Sequence, residues 1–303
     1  MFEKILVPTD FSAYAHKILD CVGDIPGVKE VVLLNVVARP LLTRFWDPVA
    51  EVEDAERKLA EEKKYIKVPE IDVKPMIVSV LEREIAGAIQ RVANEENVSL
   101  VVMGARGLSL IQSALMGSVS RNVLRFGDRH LLIMRFKAVR GNESLQFFTE
   151  QRSIRGENPR MEKFSGNLFS RVLIPTDFSQ AAEGVISFIK SISGIAELVL
   201  LHAVSKGDTQ MEIDAYVKNA TKMLEGISQE LNKKGLKVTT RVVVGNPVEQ
   251  IRIFAEEADV SLIAMSSVGK DTMHVGRIGS RTYDVANTAY RPVLILRMKP
   301  VFV

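Results

Sequence analysis

A seven-residue phrase occurs twice in this chain. Leu6-Val-Pro-Thr-Asp-Phe-Ser12 returns as Leu173-Ile-Pro-Thr-Asp-Phe-Ser179. Further along, Val98-Ser-Leu-Val-Val-Met103 returns as Val260-Ser-Leu-Ile-Ala-Met265, and Gly117-Ser118 returns as Gly279-Ser280. The offset is 167 residues from Asp10 to Asp177 and 162 from Gly117 to Gly279, so the second copy is about five residues shorter between those points. A chain of 303 residues has room for two domains of about 150 residues each. Repeated phrases in the same order require both halves to fold as one kind of unit. The predicted boundaries are a first domain over 1–137, a polar linker over 138–168 and a second domain over 169–303, with Phe147-Phe148 packing on a domain surface.

Within each half, apolar runs alternate with amphipathic stretches. In the first half, strands are predicted over 4–8, 31–37, 73–80, 98–103 and 131–136. These runs are almost uniformly apolar, as in a parallel sheet covered on both faces. Between them, Ala15, Ile18, Leu19 and Val22 form a helical stripe behind the capping residue Ser12. A charged helix over 51–67 turns Val52, Ala55, Leu59 and Ile66 inward, with Glu53–Arg57 and Asp54–Lys58 pairs on its wet face. Its charge run reads as a solvated surface. The second half repeats the scheme, with strands over 198–204, 238–244, 260–265 and 293–298. Its first helix carries Ala182, Val185, Ile186 and Ile189, and its second runs from Ile213 through Ala220 and Leu224 to Leu231. Alternation of this kind implies right-handed crossovers and a doubly wound α/β sheet. Ligands on such sheets sit at the carboxyl ends of the strands.

Two segments at those ends have ligand-binding chemistry. Gly104-Ala-Arg-Gly107 follows a strand, and Gly117-Ser118 opens a helix nine residues later. Glycine lets backbone N–H groups approach a ligand closely, and a helix N-terminus favours phosphate. The spacing is neither a Walker A loop nor the dinucleotide fingerprint. Asp10, after the first strand, lies beside this loop if strands one and four are neighbours. The residues alone leave open whether Asp10 is a turn former or a ligand contact, and whether Val36 and Met103 are core or pocket.

Together these motifs resemble the universal stress protein family in its tandem form, over both halves and nearly all of the chain outside the linker. The resemblance implies two tandem flavodoxin-like α/β domains of the adenine nucleotide alpha hydrolase-like kind. Each has a five-stranded parallel sheet in the order 3-2-1-4-5. It also implies ATP, or ADP or AMP, at the strand ends, with Mg2+ possible beside ATP. Carried over residue by residue, Pro8, Thr9 and Asp10 would face the adenosine, with Val36 and Met103 lining the adenine pocket. Gly104 and Gly107 would pass close to ribose and phosphates, and Gly117, Ser118, Val119 and Ser120 would bind the phosphates. The second site would comprise Pro175, Asp177, Ala203, Met265, Gly269, Gly279, Ser280 and Arg281. It departs from the pattern: Ser266 stands where the first glycine belongs, Ala203 replaces Val36, and Arg281 replaces Val119. A Cβ at Ser266 conflicts with a positive φ or a close ligand approach. The loop after the third strand is Gly245-Asn246-Pro247 in the second half but Ser79-Val80-Leu81 in the first.

No enzyme constellation emerges, so no catalytic residue is assigned. His16, His130, His202 and His274 lack metal-ligand spacing, and His202 reads as a structural histidine. The net charge of +3, from 40 basic and 37 acidic residues, does not mark a nucleic-acid binder. No apolar run approaches a membrane span. The lone Cys21 excludes an internal disulfide and fits the core of a cytoplasmic protein. The leading expectation is a nucleotide-binding regulatory protein of the stress response with an unknown protein partner. The alternatives are a slow ATP hydrolase or phosphotransferase, and a nucleotide-free scaffold. Strand five of each half is an apolar edge, and the resemblance implies that the two edges pair within the chain. A homodimer is a further expectation.

Overall fold

The structure, a computed structural model, describes residues 1–39, 47–105, 116–140, 145–151, 160–163, 168–205, 207, 209–269 and 278–298. The chain divides into two compact units, Met1–Met134 with Arg140–Phe147, and Arg135–Val139 with Phe148–Val303.

In the first unit, β1 (Lys4–Thr9) leads into α1 (Ala13–Asp20). Ser12 caps this helix by accepting a hydrogen bond from the Ala15 amide at 3.2 Å. Cys21 closes the helix, so Val22 is buried from a 3-10 turn and not from the helix. β2 (Glu30–Arg39), α2 (Pro48–Glu62), β3 (Asp72–Leu81), α3 (Ile85–Glu95), β4 (Leu100–Gly104), α4 (Ser118–Phe126) and β5 (His130–Met134) follow. The sheet order is β3-β2-β1-β4-β5, every pairing parallel. The central strands are buried almost throughout, because helices cover both faces. β3, at the sheet's end, is only partly buried.

Two sequence expectations change. The strand expected from Val98 begins at Leu100, because Asn97 adopts φ 48° and the Val98 amide returns to the Ala93 carbonyl, closing α3. The charged helix ends at Glu62 and passes into a 3-10 turn over 63–65. Glu62, its last residue, is buried on the same stripe as Ala55 and Leu59, and Ile66, beyond the helix, is half-buried. On the wet face, Asp54 pairs with both Arg57 and Lys58.

Strands β6 (Lys137–Arg140), β7 (Leu145–Gln151) and β8 (Arg160–Lys163) occupy part of the expected linker. β7 pairs antiparallel with β8 from Phe148↔Lys163 to Gln151↔Arg160. The side chains of Phe147 and Phe148 lie outside the described residues.

The second unit repeats the first with β9 (Arg171–Pro175), α5 (Gln180–Ile189), β10 (Glu197–Val204), α6 (Gln210–Lys233), β11 (Val238–Val244), α7 (Pro247–Glu257), β12 (Leu262–Ser266), α8 (Ser280–Thr288) and β13 (Val293–Leu296). Its order is β11-β10-β9-β12-β13, again parallel at every pairing. Asn246 caps α7, with Pro247 at its first turn. In the first unit β3 instead runs on to Leu81, and α3 starts after a 3-10 turn without a side-chain cap. Among the described residues no helix is long and apolar enough to cross a membrane.

Candidate functional site

The repeated Pro-Thr-Asp-Phe-Ser phrase builds the same corner in both halves. At the end of β1, Thr9 Oγ1 accepts from the Phe11 amide at 3.0 Å, and Asp10 Oδ1 accepts from the Ser12 amide at 3.1 Å. At the end of β9 the matching bonds, to Phe178 and Ser179, are both 3.0 Å. Phe11 and Phe178 adopt φ 59° and 58°, left-handed values that a side chain rarely takes. Two side-chain acceptors per corner hold that backbone in place. Asp10 and Asp177 thus act as turn formers. This role uses one carboxylate oxygen.

A third contact steadies each corner from the neighbouring strand. Asn35 Nδ2 donates to the Thr9 carbonyl at 2.9 Å, and His202 Nδ1 donates to the Thr176 carbonyl at 2.8 Å. His202 also stacks on Phe178 with ring centroids 4.5 Å apart. It has the structural role expected for it, and in addition it lines a cavity.

That cavity, of about 850 Å³, opens at the carboxyl ends of β9, β10 and β12. Pro175, Asp177, Ala203, Met265, Gly269, Gly279, Ser280 and Arg281 all line it, so the fold gathers every residue assigned to the second site. Tyr216, Asn219 and Met223 of α6 add a wall that the motifs did not point to. Their only sequence signal was an i, i+3, i+7 spacing beside the buried stripe of that helix. Tyr216 and Met223 are exposed large side chains at 52% and 41%, as befits the rim of an open site. The volume is within the range of sites that hold ligands of drug-like size.

The glycine positions do different jobs. A Cβ at Gly269 would lie 3.1 Å from Asp177 Oδ2, so a side chain there would press on the corner. Gly117 and Gly279 cap α4 and α8 with ordinary extended backbone. Their amides donate to the carbonyls of Ala105 and Ser267, both at 2.8 Å. The next amides, in the first turn of each helix, have no acceptor within their own helix. Neither Gly104 nor Ser266 is among the residues with positive φ. The conformational objection to Ser266 therefore falls, and its hydroxyl donates to the Val268 carbonyl. Ser120, assigned to phosphate, spends its hydroxyl on the Gly104 carbonyl at 2.8 Å, as Thr282 does on Ser266 at 2.9 Å.

In the first half, Pro8, Thr9, Asp10, Met103, Gly104 and Gly117 to Ser120 are all at the strand ends or the start of α4. Val36 is half-buried in β2, and Ser118 is exposed. Gly107, the loop after it and His274 lie outside the described residues.

One first-half residue escaped the sequence reading. Glu62 is 2% exposed and bonded to the corner itself, its Oε1 accepting from Thr9 Oγ1 at 2.9 Å. His16 Nε2 is also 2.9 Å from Oε1, and the His16 ring stacks on Tyr65 with centroids 4.3 Å apart. Burial pushes the Glu62 carboxyl up to about 7. The Thr9 hydrogen bond opposes this rise, and the negative charge of Asp10 adds to it. Burial also holds His16 below the usual histidine range, against the pull of Asp10 and Asp20.

The universal stress protein family model matches residues 1–135 and 168–297. The chain belongs to the universal stress protein family. It is similar to universal stress protein MJ0577 of Methanocaldococcus jannaschii, 29% identical over 157 residues, which are 44% of this chain and 97% of that one. It is also similar to MJ0531 of the same organism, 26% identical over 144 residues, covering 43% and 84% of the two chains. A universal stress protein from Archaeoglobus fulgidus has the same fold over the full tandem length. Its TM-score is 0.65 at 24% identity, with 96% of this chain and 95% of that chain covered.

Proposed function

We propose that this tandem universal stress protein binds an adenine nucleotide at its strand ends and acts as a regulatory protein of the stress response. Family membership supports the stress-response role. The observation that carries the nucleotide reading is the second-half cavity of about 850 Å³, which meets the first turn of α8 at Gly279, Ser280 and Arg281. A helix N-terminus of this kind favours phosphate. The guanidinium of Arg281 adds a charge able to grip phosphate oxygens in pairs. Apolar Ala203, Met265 and Ile251 line the same cavity and suit a flat base. The first half presents the equivalent corner and the start of α4, with the glycine spacing of the family intact.

ATP is the first candidate, and its magnesium ion arrives with the phosphates. Among the described residues no group of three His, Cys, Asp or Glu is placed to hold a metal. No residue is assigned a catalytic role, and nucleotide occupancy acts by shifting shape and so partner binding.

The test is to denature the purified chain, identify released nucleotide by mass, and measure its ratio to protein. Two per chain is the expected result. One would confine the reading to a single half. None, after incubation with magnesium and ATP, would leave an interaction protein that works without nucleotide.

A further inference from the structure

The Thr9 hydroxyl in the first half and the Thr176 hydroxyl in the second sit in identical corners with different surroundings. Thr176 lines the cavity. Thr9 is covered by Glu62, the last residue of α2. Glu62 Oε1 takes both contacts, from Thr9 and His16, and Oε2 is buried with no hydrogen-bond partner. The second half has Glu183 at the position of His16, so this clamp has no counterpart there.

We infer that Glu62, held between Thr9 and His16, is a proton-operated latch that fastens α2 to the corner carrying Asp10. Protonated, Glu62 is a neutral acid whose carbonyl oxygen accepts from both partners. The hydroxyl left without an acceptor costs little beside the alternative. Ionised, it spreads charge over both oxygens, of which Oε2 is buried without a hydrogen bond and Oε1 faces an imidazole whose charged form burial disfavours. The cheapest escape is for the end of α2 to lift and hydrate the carboxylate, which frees the Thr9 hydroxyl. The surrounding charges agree with this direction. The negative charge of Asp10, beyond β1, raises the cost of ionisation. Around His16, Asp20 on α1 favours its charged form and Lys64 in the turn after α2 opposes it, while the Tyr65 ring covers the imidazole. Lys58, one helical turn before Glu62, sits 5.5 Å over the Phe11 ring. Lys17 on α1 is turned to Asp20.

The closed latch binds the proton tightly and the open one as an ordinary glutamate does. Opening therefore becomes easier from pH 4.5 to about 7 and levels off above. On the nucleotide reading, an opened latch uncovers the Thr9 hydroxyl, as Thr176 faces the cavity in the second half.

Amide hydrogen exchange on the full chain tests the latch without any nucleotide. The Phe11 and Phe178 amides occupy the same Pro-Thr-Asp-Phe-Ser phrase and so have the same intrinsic exchange rate, which cancels the base catalysis of exchange. The protection of Phe11 relative to Phe178 is expected to fall by up to about tenfold per pH unit between 5 and 7. Glu62→Gln, which mimics the protonated acid, should hold the ratio high and flat. Glu62→Ala should hold it low and flat. A flat ratio in the unsubstituted chain, or an unchanged slope in Glu62→Gln, overturns the proposal. ATP titrations of the same proteins are read separately. An absence of binding in all of them would sink the nucleotide reading and leave the exchange result to decide the latch.

Discussion

The two halves fold alike and differ most where they are expected to work. The first keeps the family's glycine spacing without a departure, and its corner is fastened by a buried carboxyl. The second breaks the spacing at Ser266, yet its corner faces a cavity lined by every residue assigned to the site. Fidelity of a motif and openness of a site are thus separate properties. The motif fixes a backbone corner. What lies above the corner is decided by the helix that follows β2 or β10, where the two copies have diverged. α2 stops after 15 residues at Glu62, whereas α6 continues for 24 and sets Ala220 and Met223 against the cavity.

The largest difference between the halves is predicted away from the site. Arg129 and Arg291 occupy matching positions before β5 and β13. Arg129 donates to Asn94, Asn97 and the Val98 carbonyl, all neutral acceptors. Arg291 is buried at 3%, donates from Nε to Glu256 at 3.0 Å and forms an ion pair with Asp259 at 3.0 Å. Removing one partner of a buried ion pair leaves the other charge uncompensated. Arg291→Ala should therefore cost about 3–5 kcal/mol. Arg129→Ala should cost about 1 kcal/mol. Urea unfolding of both variants checks the contrast, and equal midpoints would mean that the ion pairs of Arg291 contribute no more than the neutral hydrogen bonds of Arg129.

Next in size is the pH dependence of the first half. The Glu62 carboxyl lies at about 7 in the folded chain against an ordinary 4.5, so the folded state holds its proton more tightly. Its contribution to stability is complete below pH 4.5 and is lost as pH rises to about 7. The loss is about 3 kcal/mol at 1.36 kcal/mol per unit. His16 acts in the opposite sense, since its folded value is depressed and its share is lost as pH falls. Comparing the unsubstituted chain with Glu62→Gln isolates the carboxyl. The stability gap between them should change by that amount over the window, while the second-half transition stays unchanged.

The apolar runs placed the strands to within two residues at either end, and Ser12 was legible as a cap, because these are local signals, whereas the sheet order came from the family resemblance. Cys21 was read correctly as core; burial pushes its thiol up to about 12. The site was legible where a motif spelled it, at Asp177 or Gly279. Glu62 was not, for a physical reason. It falls on the same helical stripe as Ala55 and Leu59, but it stands in a run of charges whose neighbours are mostly solvated, so a glutamate there reads as surface. The wall from Tyr216 to Met223 was hidden in the same way. Helical periodicity marks the buried stripe but not the neighbouring face that borders a cavity. At Ser266 the conformational part of the expectation does not hold. A glycine in the motif suggested a backbone that needs glycine, and the strand there runs with ordinary φ.

A substitution at Gly269 separates shape from motif. A Cβ there already approaches Asp177 Oδ2 to 3.1 Å, and that carboxylate is tied by its other oxygen to the Ser179 amide. Gly269→Val should crowd the mouth of the second cavity and weaken ATP binding there by about tenfold, some 1.4 kcal/mol. Calorimetry should show one class of site weakened and the other unchanged. Loss of both would mean that the variant disturbs more than its own corner.

The smallest effect is expected from restoring the motif. Ser266→Gly recreates the first-half sequence at the end of β12, where the serine hydroxyl now bonds the Val268 carbonyl. If the glycine in the family pattern were needed for backbone conformation, this change should raise affinity in the second half sharply. The φ at Ser266 is already one that any residue adopts, so no conformational gain is available. Loss of one hydrogen bond and greater chain freedom should together cost about 1 kcal/mol of stability. ATP affinity should move less than about threefold, equivalent to some 0.6 kcal/mol. A gain of tenfold or more would instead show that the serine Cβ blocks the approach of the ligand itself. That result would return the difference between the halves to the motif and away from the helices that cover it.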